Sequence, residues 1–274
     1  MALVFSSPSS SSTPSLLPFS WPPITSSRRR FQFRPITASQ VCITSPPHDT
    51  IDKSSLLISE TEAEDELWAA SCLRVRSFYR SLEDSSSFGI QDHKKYLAER
   101  EFEAVKERIA GKRLGFRRVS CINATLPLSQ MSGLSDDDLF AECKYTANGE
   151  DRVVVGTLDL NQCLRLPDEI IGRKPEGIGS DFLRAYLSNV CVAKELHRQG
   201  LAYELVAKSK LVAQQWGITD IYVHVAVDNE PAKKLYMKSG FVFENDEPAW
   251  QARFLDRPRR LLLWFGLSDA HDSE

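Results

Sequence analysis

The sequence of 274 residues lacks the features that mark several special classes of protein. It has no run of about 18 apolar residues, so no membrane-spanning helix is predicted. Its side chains are 42% hydrophobic, 9% aromatic and 26% charged, a globular composition that excludes wholesale disorder and a collagen-like fibre. The formal charge of -3 gives no reason to expect a nucleic-acid partner.

Recognisable cysteine motifs are also missing. The six cysteines are widely spaced and form neither a Cys-x-x-Cys pair nor a Cys/His pattern suited to zinc: Cys42, Cys72, Cys121, Cys143, Cys163 and Cys191. A chain of this length can bury a core without disulfides, so we expect free thiols that serve in packing. No metal site is predicted.

Acidic residues are absent from the first 48 positions, and Asp49 is the first of them. The same stretch holds twelve serines, many prolines and four arginines: Arg28, Arg29, Arg30 and Arg34. We predict that residues 1–49 are a disordered chloroplast transit peptide and that the protein acts in the plastid stroma; a plain disordered tail is the alternative. Without those arginines the chain has 30 basic against 37 acidic residues, which argues further against nucleic acid.

The rest of the chain is predicted to contain a linker (50–60), one domain (61–267) and a short tail (268–274). Apolar residues at helical spacing predict helices over about 67–78 and 92–110. Acidic residues stand where the first helix begins, at the end that favours negative charge: Glu62, Glu64, Asp65 and Glu66. The segment 113–138 is predicted to be mainly loop.

From Leu139 onward the hydrophobic period changes to two. It predicts a hairpin of strands 140–146 and 152–160 around Asn148-Gly149, followed by a long loop over 163–181. The later predicted elements, in order, are a strand (185–192), a helix (201–216), a strand (221–227), a helix (230–238) and two strands (249–254 and 260–265). Strands that alternate with helices indicate a mixed α/β domain.

The segment VCVAKELHRQGLAY (190–203) takes a predicted strand through a short turn into a long helix. The amides at the start of a helix have no acceptor within it and lie at the positive end of the helix dipole, so they can bind a pyrophosphate. Gly200 would allow a close approach of the backbone, and Ala202 keeps the next position small. A plain helix start would have a similar sequence.

A second block follows the next strand: Asn229-Glu-Pro-Ala232 and then Leu235-Tyr236-Met-Lys-Ser-Gly240-Phe241. Together the two blocks resemble the signature of the GNAT N-acetyltransferase superfamily, R/Q-x-x-G-x-G/A at a helix start followed by N-x-x-A-x-x-L-Y-x-x-x-G-F. The resemblance covers about residues 139–265. It implies the α/β (α+β) GNAT fold, a mixed central sheet flanked by helices, in which two strands splay into a V that binds acetyl-CoA.

The resemblance also implies site residues for acetyl-CoA as co-substrate, with no metal. The backbone of Val190, Cys191 and Val192 would pair with the acetyl group and pantetheine arm, and Asn229, Glu230 and Pro231 would lie near that arm. Backbone amides would hold the pyrophosphate at Arg198, Gln199, Gly200, Leu201, Ala202 and Tyr203. Tyr236 would be the general acid, since a phenol of pKa about 10 can protonate a departing thiolate of pKa about 8.5; a core tyrosine is the alternative.

The sequence departs from the family pattern at two positions. His197 stands where Arg or Gln is usual, so a side-chain contact to phosphate is in doubt there. Tyr186 occupies the position of the catalytic Glu of histone-type members, which leaves the general base open. A backbone carbonyl with a water chain, Tyr186 or His224 could serve, although His224 also fits a hydrogen-bonded interior histidine.

The acceptor is a matter of resemblance alone. The family shapes its acceptor groove with segments that correspond here to 163–181 and to about 246–259. The carboxylates of Glu244, Asp246 and Glu247 could attract an amine, although a run of charges is usually a solvated face. The whole pattern resembles plastid members of plants that acetylate both protein N-termini and lysine ε-amines, which implies protein or peptide partners. The alternatives are a small arylalkylamine such as serotonin and a CoA-binding regulator without turnover. The oligomeric state is not predicted.

The predicted import signal can be tested directly. A fluorescent protein fused behind residues 1–60 should enter plastids, because this segment holds the acid-free, Ser- and Arg-rich stretch. Microscopy of plant cells checks the location, with the fluorescent protein alone as the control. Cytosolic fluorescence of the fusion would remove the import signal from this segment.

Overall fold

The computed structural model describes residues 51–79, 88–113, 116–131, 137–163 and 184–267. They lie in the unit Pro47–Glu274, while a second unit, Met1–Pro46, lies outside the described residues together with the predicted transit peptide and tail. The strands are β1 (Leu57–Thr61), β2 (Phe116–Pro127), β3 (Lys144–Ala147), β4 (Glu150–Cys163), β5 (Arg184–Val192), β6 (Asp220–Ala226), β7 (Val242–Asp246) and β8 (Arg260–Gly266). The helices are α1 (Glu64–Phe78), α2 (Phe88–Ile109), α3 (Asp137–Glu142), α4 (Leu201–Gln215), α5 (Glu230–Lys238) and α6 (Ala249–Phe254).

The described strands form one mixed sheet in the order β1-β2-β4-β5-β6-β8-β7, with β3 paired to β4. The β5–β6 pair is parallel, and the other pairs are antiparallel. Helices α1 and α4 both pack on β4 and β5, and α2 packs on α1 and β2. The predicted mixed sheet flanked by helices is therefore confirmed. None of the described helices is long and apolar enough to cross a membrane.

Helix α1 begins where the acidic cluster predicts it. Glu64, Asp65 and Glu66 occupy its first turn, beside the amides that carry the positive end of the dipole. The inward face then buries Leu67, Ala70 and Leu73, residues that are three apart and so share one face of the helix. The predicted hairpin turn is also confirmed, because Asn148 and Gly149 both adopt positive φ (52° and 81°) between β3 and β4.

The segment 113–138 was wrongly predicted to be loop. Its centre is β2, a strand buried at every position from Val119 to Pro127. A strand covered on both faces does not alternate apolar and polar residues, so the period-two pattern is missing. Two of its buried polar side chains have partners: Ser120 donates to Glu60 (2.7 Å) and Asn123 to Glu66 (3.0 Å).

Three further predictions were wrong at the level of single elements. The end of the predicted linker 50–60 forms β1, which pairs with β2. The predicted strand 140–146 begins as α3, because Leu139 and Cys143 are four residues apart and both buried. The predicted strand 249–254 is the helix α6, and the strand β7 that precedes it was not predicted. The apolar residues Trp250 and Phe254 of α6 are exposed (65% and 83%), so the apolar pattern of the segment did not indicate a helix with a buried face.

Candidate functional site

Strands β5 and β6 separate halfway along their length. They pair over four positions, from Arg184–Asp220 to Leu187–Val223. Beyond that point β5 continues to Val192 along β4, but among the described residues it has no pairing with β6. The V-shaped splay of the prediction is thus present. Among the described residues this leaves one edge of β5 without a strand partner from Ser188 to Val192, which includes Val190–Val192, the stretch predicted to pair with acetyl-CoA.

A β-bulge marks the start of the open part of β5. The β4–β5 register shifts between Thr157 and Asp159, so that β5 carries one extra residue. Asn189 lies in the bulge with a φ of 54°, a left-handed conformation that asparagine tolerates better than most residues. The bulge bends β5 just before Val190, the first residue of the predicted pantetheine edge.

Buried charges hold the bulge in place from behind. The Asn189 side-chain amide donates to Asp159 Oδ2 (2.9 Å) and to Glu101 Oε1 (3.2 Å). Asp159 is fully buried and pairs with Arg74 (2.6 Å) and Arg108 (2.8 Å). Because Arg74 is itself only 2% exposed, removal of Asp159 would leave its buried guanidinium with Glu101 (3.0 Å) as its remaining ion-pair partner. The network ties α1, α2 and β4 to the bulge.

Sequence reasoning missed Asn189 and Asp159. One signal was available for Asn189, since asparagine is depleted in strand interiors and enriched at positive φ. Asp159 gave no comparable signal, because its partners are 85 and 51 residues away in the sequence.

The turn after β5 is fixed by backbone and side-chain hydrogen bonds. The Ala193 amide donates to the Val155 carbonyl (2.8 Å), and residues 194–196 form one 3-10 turn. His197, the residue that departs from the family pattern, donates through Nε2 to the Val192 carbonyl (3.0 Å). This histidine, although exposed, therefore holds the end of β5 in place.

The predicted phosphate cradle lies at the start of α4. Gly200 is the N-cap with a φ of 89° and has no side chain with which to cap the helix. Its carbonyl accepts from the amides of Tyr203 and Glu204 (3.0 and 3.1 Å). The amides of Leu201 and Ala202 belong to the first helical turn, which has no acceptor within the helix. They are thus available to an anion at this end of the dipole.

Helix α5 brings the second block to the same end of the splay. Asn229 is its N-cap, and the Asn229 Oδ1 accepts from the Ala232 amide (3.1 Å). Pro231 lies in the first turn, and Glu230 pairs with Lys233 at the surface. The structure thus gives Asn229 a capping role and Glu230 an ion pair, in addition to the ligand contacts predicted for them.

Tyr236 on α5 is almost entirely buried, with 5% of its surface exposed. Its ring packs edge-on against Phe241 (5.5 Å between centroids). Burial, and to a smaller extent the nearby phenol of Tyr186, raises the pKa of Tyr236 above its usual value. The phenol is therefore protonated at neutral pH, as a general acid must be before it acts.

The two candidate bases form a hydrogen-bonded pair. Tyr186 Oη and His224 Nδ1 lie 2.8 Å apart across β5 and β6. Burial, followed by the positive charges of Arg260 and Arg257, lowers the pKa of His224 to about 3. The imidazole is therefore neutral and only weakly basic. This supports the interior-histidine alternative more than the catalytic one, although Nε2 is buried without a hydrogen-bond partner among the described residues.

The described thiols are all protonated. Cys72, Cys121, Cys143 and Cys191 are free and buried, as predicted. Burial raises the pKa of Cys191, the thiol nearest the predicted acetyl site, to about 11. A thiol held neutral in this way is a poor nucleophile, so Cys191 has only its backbone to offer the reaction. In the part of the chain that the structure describes, no cluster of His, Cys, Asp and Glu could hold a metal.

The predicted acceptor segments are only partly described. Residues 164–183, which include most of the long loop, lie outside the described residues. In the other segment Glu247 is fully buried against Arg257 (2.6 Å), and Asp246 pairs with Arg259. Two of the three carboxylates predicted to attract an amine are therefore neutralised within the protein.

Known proteins place the chain in a family. Residues 126–241, from the end of β2 to just before β7, match the acetyltransferase (GNAT) family. GCN5-related N-acetyltransferase 7, chloroplastic, of Arabidopsis thaliana is 65% identical over 239 residues, which are 87% of this chain and 84% of that protein. GCN5-related N-acetyltransferase 6, chloroplastic, of the same plant is 30% identical, over 70% of this chain and 64% of that protein.

Solved structures of similar proteins share little sequence with this chain. PaiA N-acetyltransferase from Thermoplasma acidophilum, in complex with coenzyme A, is 12% identical with a TM-score of 0.45, over 78% of this chain and 99% of that chain. Ard1 from Thermoplasma volcanium is 14% identical with a TM-score of 0.42 and the same coverage.

The two chloroplastic relatives confirm the predicted location, and the first of them is similar over most of both chains. The family match coincides with the strands and helices that build the splay, the turn at Gly200 and the helix of Tyr236. This chain belongs to the GNAT family of acetyltransferases.

Proposed function

We propose that the protein transfers an acetyl group from acetyl-CoA to amines of plastid proteins, both N-terminal α-amino groups and lysine ε-amino groups. The observation that carries the proposal is the edge of β5 beyond Leu187, which leads at one end to the amides of α4. The buried phenol of Tyr236 lies near Tyr186 of the same strand. Membership of the family and the chloroplastic relatives support the proposal.

The residues at the splay fit the co-substrate in shape and charge. The open edge of Ser188–Val192 can pair with the amide groups of a pantetheine arm, as a strand would pair. The turn and first helical turn, from Arg198 to Tyr203, can hold the pyrophosphate through their amides. A side chain at Gly200 would extend into the space proposed for the pyrophosphate. Its Cβ would lie 3.3 Å from Lys53 Nζ on that side of the turn.

Among the chain's own residues, Tyr236 is assigned the proton transfer to the leaving thiolate. Bound acetyl-CoA supplies an acetyl thioester, whose carbonyl carbon bonds to the amine nitrogen as the carbon–sulfur bond breaks. Tyr236 donates its proton to the sulfur that leaves, and burial keeps that proton on the phenol until charge develops. Backbone amides at the bulge of β5 can stabilise negative charge on the carbonyl oxygen.

The proton lost by the amine is not assigned to His224. Its imidazole, with a pKa lowered to about 3, would be a weak base, and its Nδ1 is engaged with Tyr186. We propose that the pair orients the Tyr186 phenol near Tyr236 and that water within the splay takes the proton.

The substrate class can be tested with the full-length protein expressed in a bacterium. Mass spectrometry of cellular peptides should reveal new acetyl groups on protein N-termini and on lysines, compared with a strain that expresses the Tyr236→Phe variant. Purified protein would be assayed in parallel with serotonin. Turnover of serotonin without acetylated peptides would favour the arylalkylamine alternative, and binding of acetyl-CoA without either product would favour a regulator.

The cradle is tested by Gly200→Glu. The new carboxylate would stand where the pyrophosphate binds, close to Lys53. We expect the affinity for acetyl-CoA, measured by calorimetry, to fall by at least about 3 kcal/mol, roughly a hundredfold or more. Gly217→Glu is the matched control, because Gly217 also has positive φ (68°) but has open space around it beyond the other end of α4. An unchanged affinity in a folded Gly200→Glu protein would refute the site.

The acid is tested by Tyr236→Phe, which keeps the ring and its contact with Phe241. The value of kcat should fall about 10²- to 10⁴-fold, while the affinity for acetyl-CoA should barely change, because the lost interaction forms only in the transition state. Since the pKa of Tyr236 is raised, the wild-type protein should lose kcat through its ionisation only above about pH 10. A variant with wild-type kcat on a peptide amine would make Tyr236 a structural residue.

A further inference from the structure

The segment just before β1 lies against the predicted phosphate cradle, although it is far from it in sequence. The Ile51 amide donates to Gln199 Oε1 (3.1 Å), across 148 residues of chain. Gln199 is the residue next to Gly200 in the turn, and Ile51 packs against the main hydrophobic core. This segment lies outside residues 126–241, which match the family.

The same segment is anchored on its other side. Residues 53–55 form one 3-10 turn, in which the Asp52 carboxylate caps the Ser54 amide (2.9 Å) and accepts from the Ser54 hydroxyl (2.8 Å). Arg152 of β4 donates to the Ser55 carbonyl (3.2 Å). A turn held at both ends fixes the backbone from which the Lys53 side chain extends, so the backbone need not be ordered when a ligand binds.

Lys53 is the first residue of this turn, and its side chain points to the cradle. A methyl group added to Gly200 would lie 3.3 Å from Lys53 Nζ. The side chain is exposed, and among the described residues no carboxylate pairs with its ammonium. Asp52, the neighbouring acid, is instead engaged by Ser54. The ammonium therefore lies beside the open amides of α4 with its charge uncompensated.

We propose that Lys53 binds the diphosphate of acetyl-CoA and so completes the cradle from outside the family's own segment. The inference rests on the proposed function, because it requires acetyl-CoA at the turn of Gly200. The amides of Leu201 and Ala202 offer directional hydrogen bonds to phosphate oxygens, whereas an ammonium supplies a full positive charge with rotatable donors. The two contributions come together beside Gly200, since Lys53 Nζ lies 3.3 Å from the position that a Gly200 Cβ would take.

The test compares two acetyl donors that differ in the diphosphate. Acetyl-CoA carries it, and S-acetylpantetheine lacks it together with the nucleotide. In the full-length protein, Lys53→Met should raise KM for acetyl-CoA about fivefold to tenfold, a modest effect because the lysine is exposed and screened by salt. The value of kcat should be unchanged, and kcat/KM for S-acetylpantetheine should match that of the wild-type protein.

Two further variants separate charge at this position from charge in general. Lys53→Arg should retain most of the affinity for acetyl-CoA, because it keeps the cation. Lys112→Met removes one exposed charge just beyond α2, outside the cradle, and should leave both donors unaffected. The difference between the wild-type protein and Lys53→Met should shrink in 0.5 M salt, where the Debye length falls to a few ångströms (about 4 Å).

Each other outcome overturns the proposal. An unchanged KM in a folded Lys53→Met protein would show that the ammonium does not contact the ligand. An equal loss with both donors would show that Lys53 acts elsewhere than at the diphosphate. An equal rise of KM for acetyl-CoA in Lys112→Met would show that the effect comes from the net charge of the protein and not from the position of Lys53. Calorimetry of the wild-type protein distinguishes failure of the proposed function from failure of the role proposed for Lys53. A wild-type protein that does not bind acetyl-CoA would overturn both proposals.

Discussion

Hydrogen bonding within the sheet stops where β5 leaves β6, and the site depends on that interruption. Four paired positions hold the two strands together as far as Leu187 and Val223. Beyond them, among the described residues, the backbone of β5 pairs with β4 but with no strand on its other side. Peptide groups of a strand interior require partners, and a ligand that offers amide groups can provide them. The proposed binding of acetyl-CoA is in this sense a continuation of the sheet by a molecule other than the chain.

Such an opening would close or distort if its edge were free to move, and buried charge restrains it. Asn189 holds the bulge by reaching back to Asp159, which two arginines from two different helices compensate. Fully buried ions are costly unless they are paired and hydrogen-bonded. This arrangement is therefore stable only when α1, α2 and β4 are all packed in their places beside β5. The geometry of the site is thereby coupled to the packing of the whole domain.

The groups around the splay are neutral, whereas the proposed phosphate end is cationic. Burial keeps Tyr236 and Cys191 protonated and His224 unprotonated. A neutral lining suits a reaction between an uncharged amine and a thioester, because neither reactant carries a charge that would have to lose its hydration on entering the site. Positive charge lies instead near Gly200, where helix amides and Lys53 meet. The carboxylates Asp246 and Glu247 are already paired, so amine recognition depends on other groups.

The sequence by itself determined those elements whose signal is local. The helices at Leu201 and Glu230 and the Asn-Gly turn follow from spacing, capping and turn chemistry, and the structure has these elements where they were predicted. The roles predicted for the residues around Gly200 and for Tyr236 came from the resemblance to the family. Prediction from the sequence failed for β2, where burial on both faces removes the alternation of apolar and polar residues, and for α6, whose large apolar residues face solvent. Only tertiary structure joined Asp159 to Arg74, Tyr186 to His224 and Lys53 to the turn at Gly200. These contacts join residues 38 to 147 positions apart in the sequence that the fold brings together, and no local propensity encodes contacts at such separations.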